Sequence, residues 1–214
     1  MVSRFPSLEV PRLHIITDTT VQQRHGHFEL AKMAWEAGPC AVQYRNKLFS
    51  REKDLAEAAK MARLAQEGGH CLIINDAAAL AFELQAQGVH LGQGDGVPQA
   101  AADLLGPGKL IGATVHNMAE LEALRGAPIH YIGVGPVYGS RSKRTGLPDL
   151  GLEGLARLCA ASPWPVIAIG GIEERQAAEV IAAGAHGLAI ISAFCLASNP
   201  RHVAKRILTL LEGL

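Results

Sequence analysis

The sequence predicts an α/β chain folded as a single closed (β/α)8 TIM barrel. Three observations carry that expectation: short β-branched runs alternate strictly with helical periodicity, the alternation repeats eight times, and the strand runs are almost continuously apolar. Such strands belong to parallel sheets covered on both faces by helices. Eight strand-helix pairs select the closed barrel, and an open doubly wound sheet with one weak element misplaced is the alternative. With 214 residues, 49% of them hydrophobic and 19% charged, the chain can bury a large core within one domain. A leader is expected over residues 1–12 and the barrel over 13–214, with no linker or low-complexity segment to divide it.

The elements follow in order. After a polar, Pro-containing leader, Leu13 to Thr17 is a β-branched run ending at Asp18. Phe28 to Ala37 has helical periodicity and closes on Gly38, a C-cap residue. Ala41 to Arg45 is the second strand, and Arg51 to Gln66 the second helix, stopped by Gly68-Gly69. Cys71 to Asn75, Ala77 to Gln87, Gly88 to Leu91 and Pro98 to Leu105 continue the alternation, the last helix with proline in its first turn. Then come Leu110 to Val115, Met118 to Arg125, His130 to Val134 and Leu152 to Ala161. Pro165 to Ile169, Glu173 to Ala183, Gly187 to Ile191 and Arg201 to Leu211 complete the set.

Twenty basic residues balance twenty acidic ones, which argues against a general nucleic-acid or membrane-surface role. The opening residues lack a continuous apolar signal region, and no later run is apolar enough to span a bilayer. The expectation is a soluble cytoplasmic protein acting on small molecules, with a homo-oligomer allowed. Cys40, Cys71, Cys159 and Cys195 show no CxxC spacing and read as buried thiols of a reducing compartment. His25 and His27 sit in a polar loop without the cysteines or carboxylates that a metal site there would need.

If the barrel is right, chemistry belongs at the C-terminal ends of its strands. The third and fourth strands deliver Asn75 and Asp76, then Gln93 and Asp95, from neighbouring positions. Two carboxylates meeting there suit Mg²⁺, which takes one or two protein carboxylates and leaves its other sites to water and phosphate. Asp76 also has a capping reading, because a helical run starts just after it. The second strand ends with Gln43, Arg45 and Lys47 on one face, costly to bury unless they meet an anion; a fraying, solvated end is the other reading. The fifth brings Thr114 and His116 to the rim, the histidine reading either as a hydrogen-bonded structural residue or as an acid or base. The sixth leads into a long loop, Tyr138 to Leu150, whose Ser140, Ser142, Lys143 and Arg144 suit phosphate, although solvated loops share that composition. Gly170 and Gly171 after the seventh strand, with helix starts after the seventh and eighth, suit a second phosphate cup, although tight turns alone would also account for the glycines. A metal pair, cations and a separate phosphate cup on one face imply transfer of a group from a diphosphate to a second, phosphorylated substrate.

With these residues in place, the chain resembles the thiamine-phosphate synthase and thiazole tautomerase family. The resemblance runs from Leu13 to about Leu211. It is carried by Leu-His-Ile-Ile-Thr-Asp, Val-Gln-Tyr-Arg-Asn-Lys, Ile-Ile-Asn-Asp, Gly-Val-His-Leu-Gly-Gln-Gly-Asp, Tyr-Ile-Gly-Val-Gly-Pro-Val-Tyr, Ala-Ile-Gly-Gly-Ile and Ile-Ile-Ser-Ala, in that order. It implies the coupling of hydroxymethylpyrimidine diphosphate with thiazole ethyl phosphate. Gln43, Tyr44, Arg45, Asn46 and Lys47, with Asn75, then match the pyrimidine-diphosphate segment. Asp76 and Asp95 match the Mg²⁺ ligands, and Thr114 and Lys143 match diphosphate contacts. Ser140, Arg141 and Ser142 match the thiazole-phosphate loop, and Gly171, Ile191 and Ser192 the phosphate cup. Arg45, Lys47 and Lys143 are thereby the expected catalytic cations. The implied mechanism is dissociative: the C–O bond to diphosphate breaks first, and the thiazole nitrogen captures the pyrimidine methyl cation.

There are departures. Ala77 and Ala79 replace an arginine and an acidic residue, Thr114 a serine, and Ser140 and Ser142 threonines. The tract from Lys143 to Leu152 leans towards the tautomerase side of the family. A thiazole tautomerase using His116 as proton carrier, and a non-catalytic phosphate-binding barrel, are the two competing expectations.

Overall fold

The computed structural model describes residues 9–47, 51–139, 146 and 148–214, with the backbone alone described at 51–54. Its strands are β1 (Leu13–Thr17), β2 (Ala41–Tyr44), β3 (Cys71–Asn75), β4 (Gly88–Leu91), β5 (Leu110–Val115), β6 (Tyr131–Val134), β7 (Val166–Ile169) and β8 (Gly187–Ile190). All pair in parallel with their sequence neighbours, and β8 returns to β1 through Leu13↔Leu188, His14↔Ala189 and Ile15↔Ile190, closing the predicted barrel. The helices are α1 (His27–Ala37), α2 (Arg51–Gly68), α3 (Ala78–Glu83), α4 (Pro98–Leu105), α5 (Met118–Ala123), α6 (Gly151–Ala161), α7 (Ala177–Ala182), α8 (Ser192–Cys195) and α9 (Pro200–Glu212). None of those described is long and apolar enough to cross a membrane.

Alternation along each strand sorts its residues between two cores. Leu13, Ile15, Val42, Leu72, Ile74 and Val89 face the helices in one large cluster. Ile16, Ala41, Cys71, Ile73, Tyr131, Ile167 and Ala189 fill the barrel interior in a smaller one. Cys40, Cys71 and Cys195 are buried free thiols, Cys159 is a partly buried one, and burial pushes all four upward in pKa. Of the expected leader, residues 1–8 lie outside the described residues. Val10 joins the interior cluster, and the Arg12 Nε donates to the His186 carbonyl at 3.0 Å, so this stretch packs under the barrel.

Three elements depart from the sequence reading. α3 ends at Glu83 because Gln87 must turn back to β3, its backbone N–H donating to the Leu72 carbonyl at 2.9 Å and its side-chain oxygen accepting from the Leu72 N–H at 2.8 Å. The chain manages that reversal with Gln85 at φ 53°. After β7 a 3₁₀ turn (Glu174–Gln176) precedes α7, and α8 intervenes between β8 and α9. α9 starts at Pro200, capped by the Asn199 side chain accepting from the His202 N–H at 3.0 Å, and packs Ala204, Ile207 and Leu211 into the outer core.

The barrel interior is not wholly apolar. His14 is fully buried on β1, hydrogen bonded to the Pro11 carbonyl at 3.1 Å, with its ring 5.0 Å from that of Tyr131. Burial, with the nearby His90 and His186, lowers its pKa from 6.5 to about 3. The unfolded chain therefore takes up a proton below about pH 6.5 that the folded chain refuses until about pH 3. His14 thus contributes its full stability above pH 6.5 and loses it as pH falls, by about 1.4 kcal/mol per pH unit. Urea unfolding of the protein and of His14→Gln should show acid slopes differing by that amount. Parallel slopes would contradict it.

Candidate active site

At the C-terminal ends of the strands the barrel opens into a cavity of about 1000 Å³, its mouth included. Gln43, Arg45, Asn75, Asp76, Thr114, His116, Gly170, Gly171, Ile191 and Ser192 all line it. Residues expected at the site from five strand ends are thus brought to one space, as closure of the barrel requires. Tyr44, Asn46, Lys47 and Asp95 are not among its lining residues: the Tyr44 ring packs on the helix side, edge-on to His27 at 4.7 Å, the Asn46 amide donates to the Tyr44 hydroxyl at 3.2 Å, and Lys47 and Asp95 reach the cavity only through Asp76. A one-residue step along an extended strand reverses the face, so parity separates Tyr44 from Gln43 and Arg45. Ser140, Arg141, Ser142, Lys143 and Arg144 lie outside the described residues.

Arg45 follows β2, with its backbone N–H donating to the Thr17 carbonyl at 3.3 Å. Its guanidinium pairs with the Asp18 carboxylate just beyond β1, Asp18 being wholly buried and the arginine side chain 10% exposed. The other Asp18 oxygen accepts from the Thr20 N–H at 2.8 Å and the Thr20 hydroxyl at 2.5 Å. Asp18 therefore aims Arg45 and offsets its charge, a role the sequence reading missed. The available signal was its place at a strand end like those of Asp76 and Asp95.

Asp76 adopts φ 67°, a left-handed conformation uncommon outside glycine and one that clusters at functional sites. Its N–H donates to the His90 carbonyl at 2.8 Å, tying the end of β3 to β4. Lys47 Nζ donates to its Oδ2 at 2.5 Å, and the Asn75 amide to its Oδ1. Lys47 and Asn75 thus brace the Asp76 carboxylate, where Ala77 and Ala79 offer no polar side chain. Helix capping does not occupy this carboxylate, since α3 has Ala77 at its N-cap and no side-chain cap.

Asp95 lies within hydrogen-bonding reach of Asp76 and accepts from the Gly92 N–H at 2.9 Å. Desolvation of the carboxyl, then the neighbouring Asp76 carboxyl, raises its pKa from the ordinary value. Two carboxylates so close resist carrying two charges unless a cation joins them. Among the described residues no group of three metal-ligating side chains occurs, which leaves no all-protein cage. Two oxygen donors from adjacent strands fit a Mg²⁺ that draws its remaining ligands from water and a diphosphate.

On the rim, Glu120 holds His116, accepting from its backbone N–H at 2.7 Å and lying 2.9 Å from its Nδ1; it also accepts from the Gln93 amide at 3.0 Å. The floor carries Tyr131 and His90, neither of them singled out in the sequence. Across the cavity Gly171 has φ 65°, and a Cβ there would stand 2.6 Å from the Gly139 carbonyl oxygen. Only glycine therefore allows β7 to turn under the long loop, leaving an open wall beside Ile191 and Ser192. Tyr138 anchors the near end of that loop, its hydroxyl donating to Glu179 at 2.6 Å; partial burial and that carboxylate push its pKa up to about 12.

Comparison with known proteins agrees with this geometry. A family model described as thiamine monophosphate synthase matches residues 13–194. A thiamine-phosphate synthase of Salinibacter ruber is 39% identical over 204 residues, covering 95% of this chain and 90% of its own. One of Chloroflexus aurantiacus is 35% identical, covering 94% and 93%. A solved thiamine phosphate pyrophosphorylase from Pyrococcus furiosus superposes with a TM-score of 0.83 at 28% identity, over 97% of this chain and 96% of that one.

Proposed function

The chain belongs to the thiamine monophosphate synthase family, and from that premise we propose how it works as a thiamine-phosphate synthase. It is a transferase. Its substrates are hydroxymethylpyrimidine diphosphate and thiazole ethyl phosphate, or the carboxylated form of the latter. What chiefly supports this reading is that Asp76, with Asp95 beside it, and the glycine-walled cup of Gly170, Gly171, Ile191 and Ser192 belong to one cavity that Arg45 also lines.

Asp76 and Asp95 would hold Mg²⁺, which when bound offsets diphosphate charge and makes it a better leaving group. Lys47, now on Asp76, shares that charge with Lys143, while Arg45 stays aimed by Asp18. The C–O bond to diphosphate breaks with its electron pair leaving on oxygen, and the thiazole nitrogen then supplies the pair for the new C–N bond. With the decarboxylated thiazole ethyl phosphate no proton need move, so the protein's work is positioning and charge stabilisation; the carboxylated form would in addition release CO₂ and take up a proton. Gln43 and Asn75 orient the pyrimidine, and Gly171, Ile191 and Ser192 receive the thiazole phosphate.

The Glu120–His116 pair favours a second reading, a tautomerase with His116 carrying the proton. His116→Ala separates the two. Coupling should stay within about threefold, because no general acid or base is required, whereas removing an acid-base group costs about 10²–10⁴. A collapse of that size would move the assignment to the proton-transfer chemistry.

A further inference from the structure

We propose that Tyr131, His90 and Thr114 form a directed hydrogen-bond chain that makes Thr114 an obligate donor to an anion in the cavity, with His90 a positioning residue. The proposal rests on the reading of Thr114 as a diphosphate contact. A threonine hydroxyl can donate or accept, and only donation attracts an anion.

Register assembles the chain. His90 of β4, Gly112 of β5 and Tyr131 of β6 lie side by side at one level of the barrel. Gly112 has no side chain, and the two rings meet over it: a Cβ there would come 2.2 Å from Tyr131 Cζ and 2.6 Å from His90 Nδ1. Gly133 makes room in the same way, its Cβ position being 2.9 Å from His90 Cε1. Two residues after Gly112, Thr114 faces inward one layer nearer the mouth. His90 Nδ1 lies 3.1 Å from the Tyr131 hydroxyl and Nε2 3.0 Å from Thr114 Oγ1.

Proton direction follows from Tyr131. It is fully buried, and burial raises its pKa well above 10, so it keeps its proton. Among the described residues its hydroxyl meets one hydrogen-bond partner, His90 Nδ1. A buried O–H donates where it can, so Tyr131 donates to Nδ1. With that acceptor role on Nδ1, the ring carries its single proton on Nε2 and donates it to Thr114 Oγ1. Thr114 already accepts, so its own hydrogen turns to the cavity it lines.

Two measurements test this. The ¹⁵N spectrum of the free protein, with His90 assigned by its disappearance in His90→Gln, should show Nε2 protonated and Nδ1 bare. A protonated Nδ1 would overturn the proposal. Calorimetric titration with Mg²⁺ and inorganic diphosphate should show Thr114→Val and Tyr131→Phe each weakening binding by about tenfold, the cost of a hydrogen bond to a charged group. The double variant should lose no more than Thr114→Val alone, because Tyr131 acts through Thr114. Losses that multiply would overturn the chain while leaving the Thr114 contact standing. If Thr114→Val binds diphosphate unchanged, the contact itself fails and the proposal with it. Should Tyr131→Phe not fold, the tautomer of His90 and the Thr114→Val titration still decide.

Discussion

Asp18→Ala should lower stability by about 3–5 kcal/mol, the cost of leaving a buried charge without its partner. Coupling should fall by about 100-fold or more, because a misaimed group in an active site costs that much. Arg45 is the group left behind. Its side chain is 10% exposed, so water cannot replace the carboxylate. The loss of Asp18 also removes the acceptor of two bonds that Thr20 donates, freeing the turn that follows β1. Asp18→Asn keeps the shape and one oxygen and should recover part of the stability but little of the activity. Urea unfolding and initial rates on both variants decide it, and a protein that keeps both within twofold would show that Arg45 is aimed by something else.

Asp95→Ala should behave in the opposite way, with coupling reduced by about 10²–10³ and stability moved by less than about 0.5 kcal/mol. Asp95 is exposed, and its intramolecular acceptor bond is to the Gly92 N–H. Removing it relieves the neighbouring Asp76 of a second carboxyl group. The Mg²⁺ needed for half-maximal rate should rise in the variant. Full activity at unchanged Mg²⁺ would remove the metal role from this residue.

These two cases show what the chain announces locally and what it does not. The strands were legible because their apolar runs are nearly continuous, and a closed parallel barrel follows from their count. The places of Asp76, Arg45 and Thr114 in the cavity wall were legible because polar groups at the ends of apolar strands stand out against them. Tyr44 was drawn into the site by its place in a matched segment, although strand parity turns its ring to the helices. Asp18 and His90 escaped notice because their meaning lies in partners distant in sequence. Arg45 is 27 residues from Asp18, and Tyr131 is 41 from His90. Likewise the end of α3 is set by the Gln87 contacts to β3, which override a helical pattern that continues past it.

The most direct test of the central claim is to give the purified protein hydroxymethylpyrimidine diphosphate and thiazole ethyl phosphate and follow both products, with Mg²⁺ and again with excess chelator. The account predicts diphosphate and thiamine phosphate appearing in equal amounts with Mg²⁺ and neither appearing with chelator. Equal release that continues undiminished in chelator would contradict the metal assignment, and no thiamine phosphate under either condition would contradict the coupling itself.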